Sequence, residues 1–140
     1  MLVASRFKYV KATSHFFHDQ NWAAWEEAVA WVGEHSNTEA IVATPESHLC
    51  YLLTHRRAVS PPIESDRVRA RQLLESVPVS YVIVDKLGFT DVSRRYARPA
   101  VESDSTAWRL VHSVMDGTQI YEYTAGREQS APADLSGNAR

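Results

Sequence analysis

Ser80-Tyr81-Val82-Ile83-Val84-Asp85 is the stretch that decides the fold of this 140-residue chain. Three aliphatic β-branched residues in succession predict a strand near the centre of a sheet, covered on both faces. Working outward, the apolar run Ala40 to Thr44 ends at Pro45 and predicts a second strand of this kind. A third short strand is predicted over residues 57–59. These three strands are expected to run parallel.

Helical patterns separate the predicted strands. The first helix is expected from about Phe16 to Gly33, with Asp19 or Asn21 as N-cap, because apolar residues recur there with helical spacing. Shorter helices are expected over residues 46–54 and 92–101, the latter kinked at Pro99. Asp66 is predicted to cap another helix that runs to about residue 76. Its expected buried face consists of Val68, Ala70, Leu73, Leu74 and Val77.

The C-terminal part of the chain predicts a hairpin. Residues 108–115 alternate in polarity, Asp116-Gly117 is a typical hairpin turn, and residues 118–124 form the returning strand. Right-handed crossovers place helices on both faces of the sheet. We therefore expect one three-layer α/β domain over residues 16–124, whose mixed sheet combines about three parallel strands with an antiparallel hairpin. Residues 1–15 are a lead-in, and residues 125–140 have the composition of a disordered tail.

Composition excludes several classes of protein. The 15 basic and 17 acidic residues give a net charge of -2, so no basic surface points to nucleic acid. The single cysteine, Cys50, forbids an internal disulfide. No apolar stretch approaches the ~20 residues of a membrane helix, and basic residues interrupt the N-terminus too often for a signal peptide. The chain by itself is expected to be soluble.

Recognised catalytic and cofactor motifs are missing from the sequence. It contains neither of the glycine-rich phosphate-binding motifs nor a nucleophile elbow, so we predict no cofactor and no catalytic residue. His15, His18 and Asp19 have the spacing of a helical metal site, but a solvated face is the preferred explanation, and we predict no metal. Cys50 with His48 or His55 could pair a nucleophile with a base. A buried structural thiol is the preferred interpretation.

The ends of the predicted strands carry the best candidates for ligand binding. Thr44 and Glu46 follow the first strand, and Asp85 and Lys86 follow the strongest one. Because the carboxyl ends of parallel strands form the usual crevice of open α/β sheets, these four residues are the candidate ligand-binding site. The alternative is that Thr44 and Asp85 cap adjacent turns.

Two further residue types allow more than one interpretation. Arginines cluster at residues 56–57, 67–71 and 94–98, where solvated helix faces or contacts with anionic lipid headgroups would explain them. The four tryptophans have the spacing of core residues, although one or two could face a partner or a carbohydrate. They are Trp22, Trp25, Trp31 and Trp108.

An ordered series of fragments between residues 22 and 123 resembles the soluble C-terminal domain of bacterial membrane glycosyltransferases. These are the proteins similar to dolichyl-phosphate-mannose–protein mannosyltransferases. The matching pieces are Trp31, Val42-Ala43-Thr44, Leu52-Leu53-Thr54, Arg56-Arg57-Ala58-Val59, Tyr81-Val82-Ile83-Val84-Asp85, Arg95-Tyr96, Pro99-Ala100-Val101 and Ile120-Tyr121-Glu122-Tyr123. His55 departs from the pattern, which usually has glycine there, at a position that favours a left-handed residue.

The resemblance implies a non-catalytic accessory domain on the extracytoplasmic side of the cell membrane. In that family the transferase chemistry belongs to the membrane domain, so no catalytic residue carries over to this chain. The implied partners are the membrane domain of a parent protein, anionic lipid or sugar. Two alternatives stay open: a small stand-alone α/β enzyme that uses Asp85 with a histidine, and a binding module. The module would pair its hairpin edge, residues 108–123, with a partner strand or a second copy.

Overall fold

The computed structural model describes residues 19–87, 91–114 and 117–125. The predicted lead-in, the tail beyond residue 125 and the histidines at 15 and 18 lie outside these residues. The helices are α1 (Asp19–His35), α2 (Ser47–Thr54), α3 (Arg67–Ser76) and α4 (Arg98–Glu102), the last of which continues a π-helical turn over Ser93–Ala97. The strands are β1 (Ile41–Ala43), β2 (Arg57–Val59), β3 (Tyr81–Val84), β4 (Trp108–Ser113) and β5 (Gln119–Tyr123).

All five strands form one mixed sheet in the order β2-β1-β3-β5-β4. β1 runs parallel to both β2 and β3, and Val42 lies opposite Tyr81. β5 pairs antiparallel with β3 on one side and with β4 on the other. The strand with the most continuous aliphatic sequence is therefore the central one, as predicted. Its four residues are all buried.

Helices cover both faces of the sheet, which confirms the predicted three-layer α/β architecture. On one face, α1 and α2 pack over Tyr81 and Ile83, and Trp25 is fully buried among them. On the other face, α3 and α4 pack over Val82 and Val84. Alternate residues of β3 therefore contribute to opposite cores, as the period of two in a strand requires.

α1 ends at His35 rather than at Gly33, and Asn21 lies inside the helix instead of capping it. A distant side chain contacts this end of the helix: the guanidinium of Arg56 donates to the backbone carbonyls of Gly33 at 3.3 Å and Ser36 at 3.1 Å. These bonds supply donors to carbonyls that lack partners at a helix C-terminus. A residue 20 positions away in the chain thus supports the last turn of α1.

The structure confirms the predicted N-cap of α3, but fewer residues of this helix are buried than the sequence predicts. Asp66 accepts from the backbone N–H groups of residues 68 and 69, as an N-cap should. Only Ala70 and Leu74 of the five predicted apolar residues are buried; Val68, Leu73 and Val77 are more than 40% exposed. Residues 70 and 74, four apart, lie on one helix face, whereas the others lie on the flanks that neither the sheet nor α4 covers.

The C-terminal hairpin has one inner and one outer strand. β5 lies inside the sheet between β3 and β4, so within the described residues the hairpin offers a free edge only along β4. The register shifts between Leu110 and His112, where β4 carries a bulge. Gly117 in the turn has a φ of 95°, a conformation that glycine adopts without strain. Pairing with a second copy through this hairpin stays a prediction, and it would have to use β4.

A helix that crosses a bilayer must be long and apolar throughout. In residues 19–87, 91–114 and 117–125, no helix has the length and apolarity needed to cross one.

Candidate functional site

The four predicted ligand-binding residues lie at the carboxyl edge of β1 and β3. Because these strands are adjacent and parallel, Thr44 and Asp85 follow them at the same edge of the sheet. Both side chains are buried, with exposed fractions of 0% and 2%. Glu46 and Lys86 are half-buried beside them. The strand-end argument therefore identified a real cluster of polar groups, whose roles depend on the contacts of each one.

Thr44 connects α1 to the sheet. The indole N–H of Trp25 donates to its hydroxyl oxygen at 2.9 Å, and both side chains are fully buried. The backbone N–H of Thr44 donates to the carbonyl of Val59 at 2.9 Å and extends the pairing of β1 with β2. The polar atom of a buried tryptophan needs a partner, and Thr44 supplies it. This is a structural role, although the hydroxyl bonds an indole 19 positions away and does not cap an adjacent turn.

Asp85 connects β3 to the π-helical turn. One carboxyl oxygen accepts from the backbone N–H of Leu87 at 3.0 Å, and the other accepts from the hydroxyl of Ser93 at 2.9 Å. Sequence reasoning missed Ser93, because no spacing motif relates it to Asp85 and only the fold brings the two together. Among the described residues, the donors to Asp85 are these two groups, and neither is a histidine.

The protonation of Asp85 is unusual for a carboxyl group. Burial raises its pKa from 3.8 to about 6, because the charged form loses its hydration. The hydrogen bonds from Leu87 and Ser93 act in the opposite direction but do not cancel the effect of burial. The negative charge of Glu46 raises the pKa further. Asp85 therefore titrates near the range in which general acids and bases operate.

Lys86 is directed toward the hairpin turn. A Cβ atom added to Gly117 would lie 2.8 Å from the ammonium nitrogen of Lys86, so the lysine side chain passes directly over this glycine. Glu46 lies close enough to Asp85 to affect its pKa. The structure thus brings Thr44, Glu46 and Asp85 to one place, while Lys86 reaches away to the hairpin.

Cys50 is a buried structural thiol, as preferred from the sequence. Its side chain is fully buried in the core beneath α1 and α2, and burial raises the thiol pKa to about 11. His48 and His55 are exposed. His55 adopts the left-handed conformation expected at the end of α2, with a φ of 56° and its N–H bonded to the carbonyl of Tyr51 at 2.8 Å. A reactive pair of Cys50 with either histidine does not form, because a protonated buried thiol is a poor nucleophile.

The arginine clusters are tied to local partners at several positions. Arg71 forms an ion pair of 2.9 Å with Asp104, and Arg94 forms one of 3.0 Å with Asp91. Arg98 donates to the side chain of Gln119 at 3.2 Å. Within the described residues, no group of three or more histidine, cysteine or acidic side chains is placed to hold a metal ion. The predicted alternative at residues 15–19 falls outside the part of the chain whose side chains are described.

No protein-family model, curated protein or solved structure matches this chain. The functional proposal therefore depends on the geometry of the site and on the fragment pattern of the sequence.

Proposed function

We propose that this chain is a non-catalytic, extracytoplasmic accessory domain of a membrane glycosyltransferase-like protein, in which it helps to hold a substrate or partner. The observation that carries the proposal is the bonding of the two buried groups at the strand ends. The hydroxyl of Thr44 receives the Trp25 indole N–H, and both oxygens of Asp85 receive donors of the chain itself. These groups connect layers of the fold, which is the role of a structural polar residue.

The positions of the resembling fragments support the proposal. Val42-Ala43-Thr44 spans the end of β1, and Leu52-Leu53-Thr54 spans the end of α2. The central strand β3 begins at the tyrosine of the fragment that ends in Asp85, and Ile120 to Tyr123 lie in β5. Fragments that fall on strands and helix ends are expected where a fold sets the pattern, because these positions have the strictest packing and backbone requirements.

The proposal is tested by locating the protein in its native cells with an antibody raised against residues 19–125. The antibody should detect a species heavier than the 15.8 kDa of this chain, in membranes washed with alkaline carbonate. Protease added outside intact spheroplasts should destroy the epitope, whereas a cytoplasmic control protein survives. A 15.8-kDa species recovered in the aqueous fraction would contradict the proposal. The isolated chain, incubated with polyprenyl-phosphate mannose, should neither hydrolyse nor transfer the sugar.

The second candidate function is that of a small α/β enzyme with Asp85 as acid or base. The pKa of about 6 favours it, because a carboxyl group near neutrality can both give and take a proton. The test is a measured activity that Asp85→Asn abolishes while circular dichroism stays unchanged. The absence of a histidine among the described donors to Asp85 favours the accessory domain over this enzyme, which was expected to use one.

A further inference from the structure

A polar cleft opens at the edge of the sheet opposite Asp85, next to the amino end of β3. Its volume is about 200 Å³, and its polar lining comes from Asn37, Ser80, Tyr81, Glu122 and Tyr123. The remainder of its described wall is aliphatic. No pattern in the sequence predicts this cleft, because its residues come from three separate parts of the chain.

Backbone hydrogen bonds fix the floor of the cleft. Ser80 donates its N–H to the carbonyl of Ile41 at 2.8 Å and accepts the N–H of Tyr123 at 2.9 Å, so the ends of β1, β3 and β5 meet at this residue. Asn37 lies in the turn after α1, where its side-chain oxygen accepts the backbone N–H of Glu39 at 2.9 Å. That bond orders the turn and leaves the amide N–H₂ of Asn37 without a partner among the described residues.

Two tyrosines are held in place from opposite faces of the sheet. The ring of Tyr81 contacts the edge of Trp31, with centroids 6.4 Å apart, and its hydroxyl donates to the carboxylate of Glu122 at 3.3 Å. The ring of Tyr123 packs against Trp108, with centroids 5.1 Å apart. The two tyrosine hydroxyls of the cleft therefore stand on rings whose positions are fixed by neighbouring tryptophans, as preorganised binding requires.

Trp31 itself stacks on two imidazoles. Its ring stacks on His35 at a centroid distance of 4.1 Å and on His112 at 5.1 Å, with interplanar angles of 13° and 10°. The indole is thus packed against side chains of α1 and β4. Trp31 serves as a support for Tyr81, and the cleft must recognise a ligand through the tyrosines and polar groups of its own wall.

The chemistry of the wall indicates a neutral, polyhydroxylated ligand. Asn37 offers donors and Glu122 offers acceptor oxygens. The hydroxyl of Ser80 accepts the N–H of Ile41 at 3.3 Å and can donate to a ligand, whereas that of Tyr81 donates to Glu122 and can accept from one. The described lining residues include the carboxyl group of Glu122 but no lysine, arginine or histidine, and the nearest basic residue of the sheet is Arg109, opposite Glu122 in β4. A sugar ring has hydroxyls that both donate and accept around an apolar C–H surface, which matches a wall that mixes such groups with aliphatic side chains.

We propose that this cleft binds a single ring of a neutral carbohydrate. The volume is below the ~300 Å³ at which pockets for drug-sized ligands begin, which limits the occupant to about one pyranose or furanose unit. The proposal goes beyond the accessory function, since it depends on the cleft alone. Fractionation of native cells and sugar binding by the isolated chain can fail separately, so the two proposals are distinguishable.

The test is a titration of the ¹⁵N-labelled full chain with D-mannose, D-glucose and D-arabinose, followed by heteronuclear NMR. At least one sugar should give saturable shifts centred on the amides of Ser80, Tyr81 and Glu122. Inorganic phosphate and ethanolamine, as an anionic and a cationic probe, should leave these amides in place. The proposal is overturned if no sugar moves them, if the shifts centre elsewhere, or if ethanolamine moves them more than any sugar does.

A conservative variant assigns the binding to the cleft. Tyr81→Phe keeps the ring against Trp31 and removes only the hydroxyl, so the affinity should fall about three- to tenfold, as for one lost hydrogen bond. Tyr121→Phe makes the same change on the other face of the sheet and should leave the affinity unchanged. Equal effects of both variants would overturn the assignment. If Tyr81→Phe does not fold, the shift map of the unmodified chain still decides the proposal.

Discussion

Replacing Asp85 with asparagine should stabilise the protein at neutral pH and have little effect near pH 4. The folded structure raises the pKa of this carboxyl from 3.8 to about 6, mainly by burial. The folded protein therefore holds the Asp85 proton to higher pH than the unfolded chain does. The stabilisation that this proton gives is complete below the unfolded pKa, declines as the pH rises through the folded pKa, and is absent above it.

The size of the effect follows from the shift. A difference of about two pH units corresponds to about 3 kcal/mol at 1.36 kcal/mol per unit. Asparagine has no charge to bury and keeps the shape of the carboxyl group. Its oxygen can accept the N–H of Leu87, and its amide can donate to Ser93, whose hydroxyl can turn to the carbonyl of Ile83, 3.4 Å away. At about pH 4, close to the unfolded pKa, part of this difference has already been lost, so about 2 kcal/mol of it falls between about pH 4 and about pH 8.

The assay is urea unfolding of both proteins from about pH 4 to about pH 8, with the free energy extrapolated to water. The stability of Asp85→Asn relative to the unmodified protein should rise across this range by about 2 kcal/mol. Glu46→Gln serves as a matched control. It removes the charge that raises the Asp85 pKa, so the free energy of unfolding of this variant should fall less between about pH 4 and about pH 8 than that of the unmodified protein. A relative stability that is constant, or that falls with pH, would show that the bonds to the carboxylate outweigh its burial and would refute the reasoning.

Three other predictions use different groups. The Thr106 hydroxyl, nearby backbone N–H groups and Arg71 lower the pKa of Asp104. Asp104→Asn should therefore be less stable than the unmodified protein at neutral pH, and the difference in free energy of unfolding should shrink on acidification in the same urea series. Cys50 should resist dithiobis(nitrobenzoate) in the folded protein and react in step with unfolding as urea is added; full labelling of the native state would contradict its burial. Leu74→Ala should cost ~2–5 kcal/mol and Leu73→Ala about 1 kcal/mol or less by thermal unfolding, and equal costs would show that the described α3 face is incorrect.

The parts of the fold that could be predicted are those with a local cause. The aliphatic run of β3 can be covered only in the centre of a sheet, and it lies there. Asp66 caps α3 because a carboxylate at that position can reach the next free N–H groups. His55 ends α2 in a left-handed conformation for similarly local reasons. In each case the interacting groups are close together in the sequence.

The parts that could not be predicted depend on contacts between distant residues. Arg56 supports the end of α1 across 20 positions. The sequence around Gly33, which predicts the end of the helix, gives no indication of this contact. α3 contains more apolar residues than its contact with the sheet can bury, and the sequence does not show which flank stays open. The candidate site repeats this pattern. Thr44 and Asp85 were located by strand ends, whereas their partners Trp25 and Ser93 are separated from them by 19 and 8 positions.

The bulge in β4 has a consequence for variation in chain length. Leu110 lies opposite Tyr121 and His112 lies opposite Ile120, so Val111 is the additional residue. Removing one residue from a regular strand reverses the orientation of every side chain beyond the deletion. At Val111 a deletion would instead restore the ordinary alternation and leave His112 on the side of Trp31. The outer strand thus contains a position where the polypeptide can shorten by one residue without turning its remaining side chains to the wrong layer.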